Sequence, residues 1–176
     1  AQIKQHFIER KDEICAIILE PIQGEGGDNH FRTEFMQALR NLANENDAML
    51  IFDEVQCGVG LTGKMWGWQA HNVEPDMFCF GKKAQVCGFV AGPRSDEVED
   101  NVFSVSSRIN STWGGNLIDM VRFKTYLEII RDENLVDHAA KTGEKAIFML
   151  QSVAENYPEM ISNVRGEFSK FSGEIG

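Results

Sequence analysis

The sequence has no basic run, no C-x-x-C pair and no apolar stretch long enough to cross a membrane. Its 17 lysines and arginines stand against 27 aspartates and glutamates, a formal net charge of -10. Neutralising nucleic-acid phosphates needs clustered cations, and an anionic membrane surface repels such a chain, so neither partner is expected. A membrane helix takes roughly 20 apolar residues, and the opening residues AQIKQHFIERKDE do not read as a signal peptide. A cytoplasmic protein is expected. Cys15, Cys57, Cys79 and Cys87 stand singly, three of them in or beside apolar segments, where a thiol behaves as a small hydrophobe. His6, His30, His71 and His138 show no i, i+4 pair, so surface or loop positions are expected and a metal site is not. The chain enters a helical pattern at once (Ile3, Phe7, Ile8) and closes on RGEFSKFSGEIG without periodicity, so both ends read as cut.

What is present suffices for one core: 176 residues, 43% of them hydrophobic and 10% aromatic. Ile14 to Leu19 (ICAIIL) is a short apolar run followed by a polar, glycine-rich stretch, EPIQGEGGDNH, read as loop. Phe35, Met36, Leu39 and Leu42 then fall at helical spacing between Thr33 and Asn46. Ala48 to Phe52 (AMLIF) and Met77 to Phe80 (MFCF) are two further apolar runs, the first leading into Asp53 and the second into Gly81, Lys82 and Lys83. Strands alternating with helices predict an α/β fold with a mainly parallel sheet covered by helices. In such sheets ligands sit outside the carboxyl ends of the strands, where Glu20, Asp53 and Lys82 each fall. Beyond SSRINSTWGGN, Asn116 to Arg131 and Leu135 to Asn156 carry helical spacing, read as a long helix leading away from the sheet.

Two nucleotide motifs are nearly spelled. Gly58, Gly60 and Gly63 form G-x-G-x-x-G, but Asp53-Glu54 intervenes after the strand and Met65-Trp66-Gly67-Trp68 is a poor helix opening. Gly58, Gly63 and Lys64 approach a phosphate loop, yet Met65 stands where a hydroxyl should ligate magnesium. Tight turns needing positive φ account for the same glycines.

Asp53 and Lys82 offer a different chemistry. A lysine amine that forms a Schiff base and an acid beside a pyridine nitrogen are the two protein groups that pyridoxal-phosphate (PLP) chemistry requires. A crossover of this length lets neighbouring strands present both to one cleft. On spacing alone, a strand-end aspartate that merely caps or pairs remains an open alternative.

Four strings tighten the reading: EPIQGEGG (Glu20 to Gly27), LIFDEVQCGVGLTGKMW (Leu50 to Trp66), FGKK (Phe80 to Lys83) and NSTWGGN (Asn110 to Asn116). Together, in order and spacing, they resemble the class III, fold-type I, PLP-dependent aminotransferases. The resemblance runs from about Ile14 to Gly166. It implies the large domain of that fold over 1–133 and, over 134–176, a helix leading toward a small domain, truncated. It implies Asp53 on the pyridinium nitrogen, Val55 packed against the ring, Gln56 near the phenolic oxygen and Lys82 as the Schiff-base lysine, with Lys83 as its neighbour. Burial is expected to lower the pKa of the Lys82 amine so that it can carry protons. Ser111 and Thr112 match a phosphate contact made from the second subunit of a homodimer. Glu25 matches a gate glutamate that pairs with an arginine, while Glu20 and Asn110 match groups near cofactor and substrate. The finer strings EGGDNHF, FGKKAQVCG, DEVEDNVF and INSTWGGNLIDMVR most resemble the branch that moves the ε-amino group of L-lysine to 2-oxoglutarate. Branches acting on 4-aminobutyrate or ornithine share the cofactor residues. The family's remaining phosphate-cup residues and stacking aromatic match nothing from Ala1 onward, its α-carboxylate arginine matches nothing up to Gly176, and the pattern is lost after Arg165-Gly166. An inactive PLP-binding fragment is therefore an alternative for the chain as it stands.

Overall fold

A computed structural model describes residues 1–109 and 111–166. In chain order its elements are α1 (Gln2–Glu9), β1 (Ala16–Leu19), β2 (Ile22–Gln23), β3 (Asn29–His30), α2 (Thr33–Glu45), β4 (Met49–Asp53), β5 (Met77–Phe80), β6 (Gly88–Ala91), α3 (Leu117–Asp132) and α4 (Leu135–Asn156). The main sheet runs β1-β4-β5-β6. The first two pairings are parallel, with Leu19 opposite Phe52 and Asp53 opposite Cys79, and the third is antiparallel. The three expected strands are thus adjacent and parallel.

Strand alternation sorts the core. Leu50 and Phe52 face one side with their register partners Ile17, Leu19 and Phe78, and meet Met36, Leu39 and Ala43 of α2. Those three lie at i, i+3 and i+7, one stripe of a helix. Phe52, Met36 and Leu50 are fully buried, each such side chain stabilising by about 1.5–3 kcal/mol. Phe123 of α3 stacks on Phe80 at 5.2 Å between ring centroids, so this helix joins the same side of the sheet. On the opposite side Ile18 stays 63% exposed and Phe89 46%.

Four expectations are corrected. The stretch EPIQGEGGDNH is not all loop: β2 and β3 pair antiparallel within it, Ile22 opposite His30 and Gln23 opposite Asn29. A fourth strand, β6, escapes a reading based on apolar runs because it is an edge of four residues opening on glycine, with Phe89 and Val90 both exposed. The C-terminal helix is two helices, broken at Asn134 in the left-handed region (φ 53) and packed against each other. His71 is buried rather than superficial. Its Nδ1 lies 3.2 Å from Thr33 Oγ1 at the start of α2, and burial lowers its pKa.

The glycines of the nucleotide-like motif are taken up by packing. Gly63 has φ +76, and a Cβ there would stand 2.8 Å from the Ala140 Cβ of α4. A Cβ on Gly58 would stand 2.7 Å from the Glu54 carbonyl oxygen. Gly63→Ala therefore meets both a left-handed backbone and a helix it must push away, and is expected to destabilise by about 2–3 kcal/mol, measured by chemical denaturation. An unchanged midpoint would show that α4 yields at this contact. Among the described residues no helix is long and apolar enough to cross a membrane, and no cluster of three or more His, Cys, Asp or Glu is placed to hold a metal ion.

Candidate active site

Because β1, β4 and β5 are parallel neighbours, their carboxyl ends share one edge of the sheet. Glu20 follows β1, Asp53 ends β4, and Lys82 stands two residues past β5. The structure thus brings these three to a common edge, as alternating strand and helix imply. Asp53 is half-buried, and its Oδ1 accepts the Val55 amide at 3.0 Å, which turns the chain sharply out of the strand. Cys79 lies beside it in register, and burial followed by the Asp53 carboxylate raises the Cys79 thiol pKa.

Glu54, next along the chain, turns inward and is 1% exposed. Its Oε2 accepts the Gly67 amide at 2.8 Å and the Cys57 thiol at 3.2 Å, and its Oε1 accepts the Trp68 amide at 2.8 Å. Burial raises its pKa, and the two amide donors offset part of that shift. Burial and this carboxylate push the Cys57 thiol up as well, which leaves it unreactive. Glu54 thereby pins the 66–68 segment beneath the Asp53 turn. Sequence reading passed it over, although alternation past Asp53 was a signal that it faces the other way.

The adjacent lysines divide similarly. Lys82 is exposed and takes a left-handed backbone (φ 48), in a 3-10 turn closed by the Gln85 amide on the Lys82 carbonyl at 2.8 Å. Lys83 is half-buried and its Nζ donates to the Gln56 carbonyl oxygen. Burial lowers the Lys83 pKa. The burial expected at Lys82 therefore falls on Lys83, because the turn aims the first lysine outward and the second back beneath residues 53–56.

Glu20 and Gln56 are linked through Gly24. The Gly24 amide donates to Glu20 Oε2 at 3.3 Å, and a Cβ on Gly24 would stand 3.2 Å from Gln56 Nε2, so the bare backbone lets the amide side chain lie against this loop. Glu25 is exposed at the tip of the Gly24–Asp28 turn. Arg165 fastens that turn from 137 residues away, donating to the Asp28 carbonyl from Nη2 at 2.7 Å and from Nε at 3.1 Å. Val55 and Gln56 are both half-buried behind Asp53. Ser111 and Thr112 are exposed on the turn ahead of α3, outside the cluster that unites Glu20, Asp53, Gln56 and the two lysines. Asn110 and residues 167–176 lie outside the described residues.

The fold agrees with that of known proteins. The model of the class-III aminotransferase family matches residues 1–174. The L-lysine-epsilon aminotransferase of Mycobacterium tuberculosis is 52% identical over 165 residues, which is 94% of this chain and 37% of that protein. The L-lysine-epsilon aminotransferase of Streptomyces clavuligerus is 48% identical over 163 residues, 93% of this chain and 36% of that one. Among solved structures, the lysine aminotransferase from M. tuberculosis in the internal aldimine form superposes with a TM-score of 0.91 at 52% identity, covering 94% of this chain and 38% of that one. The chain belongs to the class-III aminotransferase family, and it spans little more than a third of the length of these relatives.

Proposed function

We propose that this chain supplies the cofactor-holding edge of a PLP-dependent aminotransferase that moves the ε-amino group of L-lysine to 2-oxoglutarate. The observation that carries the reading is the placement of Asp53 and Lys82 at the carboxyl ends of the adjacent parallel strands β4 and β5. The donor set fits the group: an anionic oxygen pair for a protonated ring nitrogen, an exposed primary amine, an apolar Val55 and the Gln56 amide. When bound, PLP supplies an electron-withdrawing ring that spreads negative charge away from the carbon bearing the transferred amine. Asp53, its carboxylate braced by the Val55 amide, would keep a proton on the ring nitrogen. Val55 would shield the ring from water, and the Gln56 amide would be available to hydrogen-bond the phenolic oxygen. Lys82 would hold the cofactor by its amine, and its Nζ, when free, would be the group that moves a proton.

Glu25, at an exposed turn tip, acts as a gate that accepts a cationic partner with one substrate and swings aside for the other. Glu20 holds the base of that loop through the Gly24 amide. Asn110 contacts substrate, and Ser111 and Thr112 reach the phosphate of the partner protomer in a homodimer. Identities near 50% to enzymes named for lysine support the choice of donor. Turnover of lysine, ornithine and 4-aminobutyrate with 2-oxoglutarate tests it. Lysine is expected to lead in kcat/KM by about tenfold or more, the discrimination that one or two pocket contacts provide. Equal or better use of either rival would remove lysine as the donor.

A further inference from the structure

We infer that Lys83 is a positioning residue that locks the Lys82 turn onto the turn following Asp53 and so fixes how the two groups face each other. The inference rests on the reading of Asp53 and Lys82 as the cofactor-holding pair. Three ties join these turns. The Glu54 amide donates to the Cys79 carbonyl at 2.9 Å, which continues the β4–β5 ladder by one bond. Val55 leans over Gly81, its two methyls 3.5 and 3.6 Å from where a Cβ would stand. The third tie is the Lys83 ammonium on the Gln56 carbonyl, the one made by a charged side chain and the one that spans from the lysine turn to the far end of the 53–56 segment.

The first two ties hold only as far as Gly81. Beyond it the chain takes two left-handed non-glycine residues, Lys82 (φ 48) and Gln85 (φ 57). Such a backbone is strained for a residue with a side chain and persists where the surroundings enforce it. The local bonds of the turn, Ala84 to Gly81 at 3.2 Å and Gln85 to Lys82 at 2.8 Å, set its shape but not its attachment. Lys83 supplies the attachment. A charge-assisted bond in a half-buried place is among the stronger single contacts a side chain can make, and this one reaches a carbonyl 27 residues away in the chain. Losing this bond frees Lys82 to wander relative to Asp53 while leaving sheet and core intact.

The test uses the whole chain with Lys83→Met, which keeps the stem and removes the donor, and Lys83→Arg, which restores a donor. Amide hydrogen exchange without cofactor is read at Gly58, Ala84 and Gln85, with the α2 amides as an internal reference for global stability. The methionine variant is expected to exchange about tenfold faster at those three sites with α2 unchanged, and arginine to restore most of the protection. In the second readout the chain is mixed with PLP, reduced with borohydride and mapped by peptide mass. The share of label on Lys82 is expected to fall severalfold in the methionine variant and to recover in the arginine variant. Unchanged exchange at the three amides, or a uniform rise that includes α2, would overturn the inference. Absence of Lys82 label in the parent chain would instead count against the cofactor reading, and the exchange data would still decide whether the lock exists.

Discussion

Lys82→Ala is expected to abolish the stable pyridoxyl adduct that borohydride fixes on the parent chain, and to cut turnover of the enzyme containing this segment by on the order of 10³-fold or more. The magnitude follows from two roles meeting in one amine, covalent attachment and proton transfer, neither of which alanine can supply. Lys83 cannot stand in. Its ammonium is committed to the Gln56 carbonyl and half-buried, so reacting would require breaking a charge-assisted bond and rotating the turn. Lys82 is exposed at the edge of the sheet that also carries Asp53. Peptide mapping checks this directly: label on Lys83 in the parent chain, or undiminished label elsewhere in the alanine variant, would reverse the assignment of the two lysines.

Glu54→Ala is the substitution expected to damage stability most. It leaves the Gly67 and Trp68 amides and the Cys57 thiol without the acceptor they share, in a place that is 1% exposed. Each buried donor left unsatisfied costs about 1–3 kcal/mol, so a loss of about 3 kcal/mol is expected in chemical denaturation. The effect also depends on pH. Burial raises the native pKa of Glu54 above its unfolded value. In the window between the two, the folded chain retains a proton that the unfolded chain has released, so stability drawn from this group declines as pH rises through it. The gap between parent and alanine variant should therefore be widest in acid near the ordinary glutamate range and narrow toward neutrality. A gap that widened with rising pH would mean that the amide donors outweigh burial and that the native carboxyl pKa is depressed.

The sheet was legible because its parallel strands leave continuous apolar runs, ICAIIL, AMLIF and MFCF, even though one face of the sheet stays open, with Ile18 63% exposed. The edge strand β6 and the β2–β3 hairpin leave no such trace. Edges need few apolar residues, and a two-residue ladder is set by where the turn brings the chain back. The positions of Glu20, Asp53 and Lys82 could be read because they follow those runs directly. The parts played by Glu54, Lys83 and His71 were not read: alternation gives the direction of Glu54, but the partners that define each role come from afar, two amides from a segment 13 and 14 residues away, a carbonyl 27 residues away, a hydroxyl 38 residues away. Ser111 and Thr112 illustrate the opposite limit. They were found by string resemblance, and among the described residues both are exposed, with no hydrogen bond or ion pair tying their side chains to the groups at the sheet edge.

Asp53-Glu54 and Lys82-Lys83 are two pairs of chemically equivalent neighbours, and in each the first member stands at the carboxyl edge of the sheet while the second turns inward, Glu54 buried and Lys83 half-buried. Composition therefore cannot distinguish cleft from scaffold at this site, but phase can. Deleting or inserting one residue within β4, or within the turn after β5, would preserve an acid and an amine at nearly the same places while exchanging their duties. The inward carboxylate would then be the shorter aspartate, unable to span to the Gly67 and Trp68 amides, and the outward amine would lose the turn that presents it. Segments of this kind tolerate substitution far better than they tolerate a change of length.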